Sequence, residues 1–134
     1  MKERKTMPFD KNFVPALRFA VMSDIHIDDE DCIEEQRFAK ALDDLKNLCS
    51  SDERYSGFDV LVIVGDFASR GSEIQMRKVK KILDAGLPAD VRLIMTMASH
   101  EYMTDGEENA LRRFDEIFGL TPDTHAVING FDFI

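Results

Sequence analysis

The chain lacks any apolar run that approaches the roughly 20 residues a membrane-spanning helix needs. Its basic start, Met1 to Lys5, leads into Pro8, Asp10 and Pro15 rather than into the apolar core of a signal peptide. A soluble, cytoplasmic protein with no membrane partner is therefore expected. Cysteine is scarce: Cys32 and Cys49 form no Cys-x-x-Cys pair, and they fall near opposite ends of one predicted helix, too far apart for a disulfide. Reduced, packing thiols are expected. Positive charge is also short, with 17 Lys and Arg against 26 Asp and Glu and a net charge of −9, which excludes broad electrostatic binding to nucleic acid or to an anionic membrane. A phosphate-bearing substrate survives that exclusion, because bound cations reverse the local field of an acidic cleft. No internal repeat, low-complexity tract or linker interrupts the sequence. The expectation is one domain over 1–134, with residues 1–16 as an N-terminal extension.

What is present alternates in period. Leu17 to Ser23, Phe58 to Asp66 and Val91 to Ala98 are short apolar runs of the kind that form strands buried on both faces of a parallel sheet. Between and after them, apolar residues recur at helical spacing: Phe38, Leu42, Leu45 and Leu48 or Cys49; Ile74, Val79, Ile82 and Leu83; Leu111, Phe114, Ile117 and Phe118. The second helix has a start signal in Ser72 and Glu73 and a stop in Gly86 with Pro88 beyond; the third begins near Asp105 and stops at Gly119. Strands alternating with helices predict an α/β fold, a mostly parallel sheet with flanking helices and right-handed crossovers. At the end, two short apolar runs surround Asn129-Gly130, the pair favoured in two-residue turns, so the chain should close on a β-hairpin. The acidic run Asp28 to Asp31 reads as a solvated loop.

Ligands of open parallel sheets bind beyond the carboxyl ends of the strands. Three such ends carry polar chemistry here: Asp24 and His26 after the first, Asp66, Arg70 and Gly71 after the second, and Ser99, His100 and Glu101 after the third. In an extended strand Asp24 and His26 would project to one side and meet one cation. Asp66 has two oxygens with which to bridge two cations, and Gly65 lets backbone approach closely. Taken singly, each residue has a plainer reading: Asp24 or Asp66 as a cap or turn former, His26 as a structural imidazole, Arg70 as a solvated side chain, Glu101 as an acid near a helix start. Their joint occurrence, in order, at three successive strand ends favours the functional reading.

The motifs Asp24-Ile25-His26, Gly65-Asp66 and His100-Glu101, with Gly65 to Gly71 as a Gly-Asp-x-x-x-Arg-Gly segment, resemble the signature of the calcineurin-like metallophosphoesterase superfamily, from about Leu17 to the end. The resemblance implies the front half of a four-layer α/β/β/α sandwich. It implies that Asp24 and His26 hold a first divalent metal (manganese, iron, zinc or similar) and that Asp66 bridges to a second. By the same resemblance His100 sits beside the substrate phosphate as a general acid or electrostatic stabiliser, Arg70 helps to hold the phosphoryl oxygens, and Glu101 orients its neighbours. The substrate implied is a phosphate monoester or diester, hydrolysed by metal-bound hydroxide.

The pattern breaks in two places. Where the family places Gly-Asn before this histidine, the chain has Ala98-Ser99, and a neutral hydroxyl is a poor replacement for a ligating amide oxygen, so the second metal should bind weakly or through water. Ser99 has a plainer reading as a cap for the following turn. The family's later histidines have no counterpart, since His125 is the only histidine after His100 and precedes the next ligand motif. The expectation is a front-half domain with three good ligands and one sheet face left bare, weakly active or inactive as this fragment, prone to self-association or wanting a C-terminal half. The competing reading is a non-catalytic remnant that serves as an interaction or single-metal module. A phosphoacceptor receiver domain fits less well, because its acidic cluster and late-strand lysine are not in place.

Overall fold

The structure, a computed structural model, describes residue 10 and residues 12–134; the basic start of the chain lies outside the described residues. Strands β1 (Phe19–Met22), β2 (Val60–Val64) and β3 (Arg92–Thr96) pair in parallel in that spatial order, with Phe19 opposite Val60 and Val60 opposite Arg92. Helices α1 (Ile33–Ser50), α2 (Glu73–Gly86) and α3 (Glu107–Phe118) follow the three strands in turn. The stop and start signals act locally as expected: the Ser72 hydroxyl accepts the N–H of Gln75 at 3.2 Å, and α3 ends at Gly119 with φ 63°. β4 (Ala126–Ile128) and β5 (Phe131–Phe133) form the hairpin, turning through Asn129 and Gly130 at φ 52° and 82°, the left-handed pair of a type I′ turn.

The alternation of side chains along the strands separates two layers. Ala20, Met22, Leu61, Ile63, Leu93 and Met95 face the three helices and pack with Phe38, Leu42, Val79, Leu83, Phe114 and Ile117. The opposite face receives the hairpin, which sets Ala126, Ile128 and Phe133 against Val60, Val62 and Ile94. The hairpin covers that face only in part: Phe19, Val21 and Val64 remain 52%, 56% and 45% exposed. The expectation of strands buried on both faces is therefore corrected for β1, an edge strand with helices on one side and little on the other. Two helical stripes are also adjusted. Cys49 turns inward while Leu48 points to solvent, and in α2 it is Met76 and Gln75, not Ile74, that are buried. Both cysteines are free, at opposite ends of α1.

At the amino ends of the strands, Arg18 ties β1 to the turn after α1. Its guanidinium donates to the carbonyls of Tyr55 at 2.8 Å, Gly57 at 3.2 Å and Cys49 at 3.3 Å and to the Asp52 carboxylate at 2.6 Å. Arg54, with support from Arg18, holds the Asp52 carboxyl well below the ordinary carboxylate range. Arg18→Met should lower stability at neutral pH by about 1–3 kcal/mol, read by urea unfolding, since several acceptors lose their donor together. A carboxyl lowered in the folded state contributes stability that is present above its unfolded value and lost as pH falls through the folded one. The gap between the two proteins should accordingly narrow below about pH 4.

Candidate metal centre

Beyond Met22 the chain continues beside the loop that follows β2. The N–H groups of Asp24, His26 and Ile27 donate to the carbonyls of Gly65, Asp66 and Phe67 at 3.4, 3.0 and 3.0 Å, and Ser69 N–H returns to the Ile27 carbonyl at 2.9 Å. The pairing of β1 with β2 thus runs on past the strand ends, but not as extended backbone. Asp24, His26 and Asp66 have φ of 54°, 54° and 50°, and with Asn129 they are the non-glycine residues at positive φ among those described. For an L-residue this conformation costs about 1–2 kcal/mol, least for Asp and Asn. Three costs of that kind at one rim mark a place where local strain is held by surrounding structure, the usual signature of a functional site. Asp24 and His26 do meet, as expected, although the cause is this left-handed bend and not the two-residue period of a strand.

The bend brings the donors together. Asp24, His26 and Asp66 each offer a ligand atom, all within 4.8 Å of one another, and they are the one such cluster among the described residues. His26 Nε2 lies 3.7 Å from Asp24 Oδ1, and Ser23 Oγ donates to Asp24 Oδ2 at 2.5 Å. The third strand end adds His100, in a 3-10 turn at Ser99–Tyr102. Its N–H donates to Asp66 Oδ1 at 3.2 Å, and its ring stands edge-on to that of His26 with centroids 4.7 Å apart. His100 Nδ1 lies 2.7 Å from the Ser69 carbonyl oxygen. A carbonyl only accepts, which assigns a proton to Nδ1 and leaves Nε2 as the ring's open nitrogen.

Two glycines permit this convergence. A Cβ on Gly65 would stand 2.4 Å from the Ala98 Cβ, so the expected close approach is present, and Ala98 fills the space in front of it. A Cβ on Gly71, at φ 75°, would stand 1.9 Å from the Glu101 carbonyl oxygen, a backbone atom with nowhere to go. Gly71→Ala should cost more than about 4 kcal/mol and yield little folded protein. Gly57→Ala, at φ 88° with nothing within 4 Å, should cost only the conformational term of about 1–2 kcal/mol in the same melting experiment.

The remaining sequence candidates fall in different places. Arg70 is exposed on the loop, its N–H held by Gln75 Oε1 at 2.8 Å and its carbonyl by Thr104 Oγ1 at 2.7 Å; its guanidinium is free of ion pairs among the described residues. Ser99 is exposed and opens the 3-10 turn without capping it. The residue in the cap position is Ala98, whose N–H is taken by Glu101, so the reading of Ser99 as a cap is corrected. His125 is exposed on the hairpin with Nε2 2.6 Å from Asp132 Oδ1. Glu101, read from sequence as an acid near a helix start, is fully buried. Gln75 was missed as a site-supporting residue: its buried amide oxygen accepts the N–H groups of Arg70, Gly71 and Ser72. The Ser-x-x-Gln spacing of a capping box, Ser72 to Gln75, was the available signal.

Two carboxylates and an imidazole, each with a ligand atom within 4.8 Å of the others, are an oxygen and nitrogen donor set that suits borderline divalent ions such as manganese, iron or zinc. Fold and donor set together define a parallel α/β domain with an acidic, metal-competent rim at the carboxyl ends of its strands. Residues 17–134 match the model of the family described as Calcineurin-like phosphoesterase, and the chain belongs to that family of metal-dependent phosphoesterases. No curated protein matches the chain. The three-stranded parallel sheet, flanking helices and terminal hairpin agree with the fold the motifs implied.

Proposed function

We propose that the protein hydrolyses a phosphate monoester or diester at a divalent ion, manganese for preference, held by Asp24, His26 and Asp66. The observation that carries this reading is the coincidence of three strained backbone positions with three converging ligands. When bound, such an ion supplies an acidified water and positive charge against the phosphoryl oxygens. The chain's own groups do the rest. Asp66 is fixed through the oxygen that accepts from His100, leaving its second oxygen for coordination. His100, with Nδ1 committed to the Ser69 carbonyl, has Nε2 free for the ester, where as a general acid it donates a proton to the leaving oxygen or as a positive charge it stabilises the phosphoryl group. Arg70, exposed on the same loop, reaches for the phosphoryl oxygens as a forked donor.

Ser99 favours a second reading, a single-metal module without turnover, because a second ion finds a short hydroxyl in place of an amide oxygen. Hydrolysis of an aryl phosphate monoester or diester in the presence of manganese, absent in Asp66→Asn, supports the enzyme. Manganese binding without hydrolysis supports the module, and no manganese binding removes both. Free cysteines suit a cytoplasmic setting, and the half-covered sheet face suits association of the chain with itself. Among the described residues no helix is long and apolar enough to cross a membrane.

A further inference from the structure

We infer that Gln75 and Thr104 are positioning residues for Arg70: together they fix the backbone from which its guanidinium reaches a phosphoryl group, and neither touches the phosphate or the metal. The inference rests on the role proposed for Arg70 but is carried by different observations. Arg70 is exposed on the loop, while its peptide groups are held on both sides. Its N–H donates to Gln75 Oε1 at 2.8 Å, and its carbonyl accepts from Thr104 Oγ1 at 2.7 Å.

The plainer reading of Gln75 is a helix cap, since Ser72 and Gln75 open α2 as a capping box. The distances argue against a cap alone. In such a box the later side chain takes the N–H of the cap residue, here Ser72, and that bond is the longest of three at 3.4 Å. The two shorter ones run past the helix to Arg70 at 2.8 Å and Gly71 at 3.0 Å. Successive N–H groups aimed at one point form a concavity of the kind that binds anions, and Gln75 fills it from inside the fold. The anion is thereby left to the guanidinium. Gln75 is fully buried, and its Nε2 has no partner among the described residues. Native folds seldom leave a buried donor unpaired, and a capping side chain can do its work at the surface, so the arrangement favours the loop over the helix.

The second grip comes from another element. Thr104 follows the 3-10 turn, and its neighbour Asp105 is clamped by both terminal nitrogens of Arg113 in α3, at 2.8 and 2.7 Å. The threonine hydroxyl thus stands on an anchored turn. Gly71 packs so closely on the Glu101 carbonyl that no side chain fits between them. Arg70 is therefore fixed at its base and free at its tip. An arginine on an unheld loop loses backbone as well as rotamer freedom when it engages an anion; here only the rotamers remain to be ordered. The side-chain bonds of Gln75 and Thr104 end at Arg70, Gly71 and Ser72 and reach none of Asp24, His26 or Asp66. Holding an ion and reaching the ester are supported separately.

The test titrates inorganic phosphate by calorimetry into the full chain with manganese present. Gln75→Met keeps the length and removes the acceptor, Thr104→Val removes the hydroxyl at an exposed position, and each is made alone and with Arg70→Ala. Each single variant should weaken phosphate about three- to tenfold, and neither should weaken it further in the Arg70→Ala background, the coupling expected of residues that act through another. Amide exchange at Arg70 and Gly71 should quicken at least about tenfold in Gln75→Met and stay slow in Gln75→Glu, which keeps an acceptor oxygen. Manganese affinity should be unchanged throughout. Equal losses with and without Arg70, a matching loss of manganese affinity, or unchanged phosphate affinity in a folded Gln75→Met or in Thr104→Val overturns the inference and leaves the phosphate site standing. Should Gln75→Met not fold, Thr104→Val with and without Arg70 decides. An unmodified chain that binds no phosphate, or an Arg70→Ala chain that binds it as well as before, defeats the reading of Arg70 itself and the inference with it.

Discussion

Asp66→Asn should leave the metal-free protein as stable as before and remove its response to manganese. Asparagine matches aspartate in volume, keeps an oxygen for the His100 N–H, and is the other residue that tolerates the left-handed conformation found at φ 50°. The substitution also deletes one of two carboxylates that crowd each other in the absence of a cation. Its cost to the unliganded fold should therefore lie within about 0.5 kcal/mol, as for a substitution that creates neither cavity nor orphaned group. The metal response is another matter. Partners behind a ligand already cost about 10- to 100-fold in affinity when removed, so loss of a charged ligand should exceed about 100-fold. At a concentration 100 times the dissociation constant, manganese stabilises the native chain by about 2.7 kcal/mol, which for a domain of this size raises the melting temperature by roughly 10 °C. The wild type should show that rise and Asp66→Asn should not, in paired melts with and without manganese. An equal rise in both proteins would place the ion somewhere other than at this cluster.

The three strand ends are legible in the sequence because burial leaves a direct compositional trace: Val60 to Val64 is β-branched and apolar since it lies at the centre of the sheet. The turn at Asn129 and Gly130 was equally legible, its chemistry being local. So was the grouping of the three candidate ligands, since Asp24, His26 and Asp66 do converge. How they converge was not. A positive φ at an aspartate or histidine has no local sequence signal; it is imposed by the bonds from Asp24 and His26 to the neighbouring loop, which exist only once β1 has paired with β2. Nor could burial of Glu101 be read in advance, because an acid is normally solvated, and only the meeting of three unpaired N–H groups from two loops makes an interior position favourable. Ile74 was misplaced for a related reason: helical periodicity gives the spacing of an apolar stripe but not its phase, which is fixed in α2 by the Ser72 cap and the burial of Gln75.

The bare part of the sheet predicts the second large effect, concentration-dependent association that depends on β1. Phe19, Val21 and Val64 lie on one face by strand alternation and register, about half exposed, beside Phe133, whose ring meets that of Phe19 edge-on at 5.6 Å. β1 is also an edge of the sheet, so its outward backbone groups stand ready for pairing. Full burial of such a side chain contributes about 1.5–3 kcal/mol, so completing a half-burial adds about 1 kcal/mol. Three residues from each of two copies then supply about 6 kcal/mol, equivalent to dissociation in the tens of micromolar, before the cost of association weakens it and edge hydrogen bonds strengthen it. Sedimentation velocity of the wild type should accordingly show a species shifting from monomer toward dimer between about 10 and 200 µM. The double substitution of Phe19→Thr with Val21→Thr keeps strand propensity while removing apolar surface, and should stay monomeric over that range with its fold intact. If the wild type sediments as one monomeric species throughout and melts cooperatively, the half-covered face is tolerated by the fold alone, and association through it is ruled out.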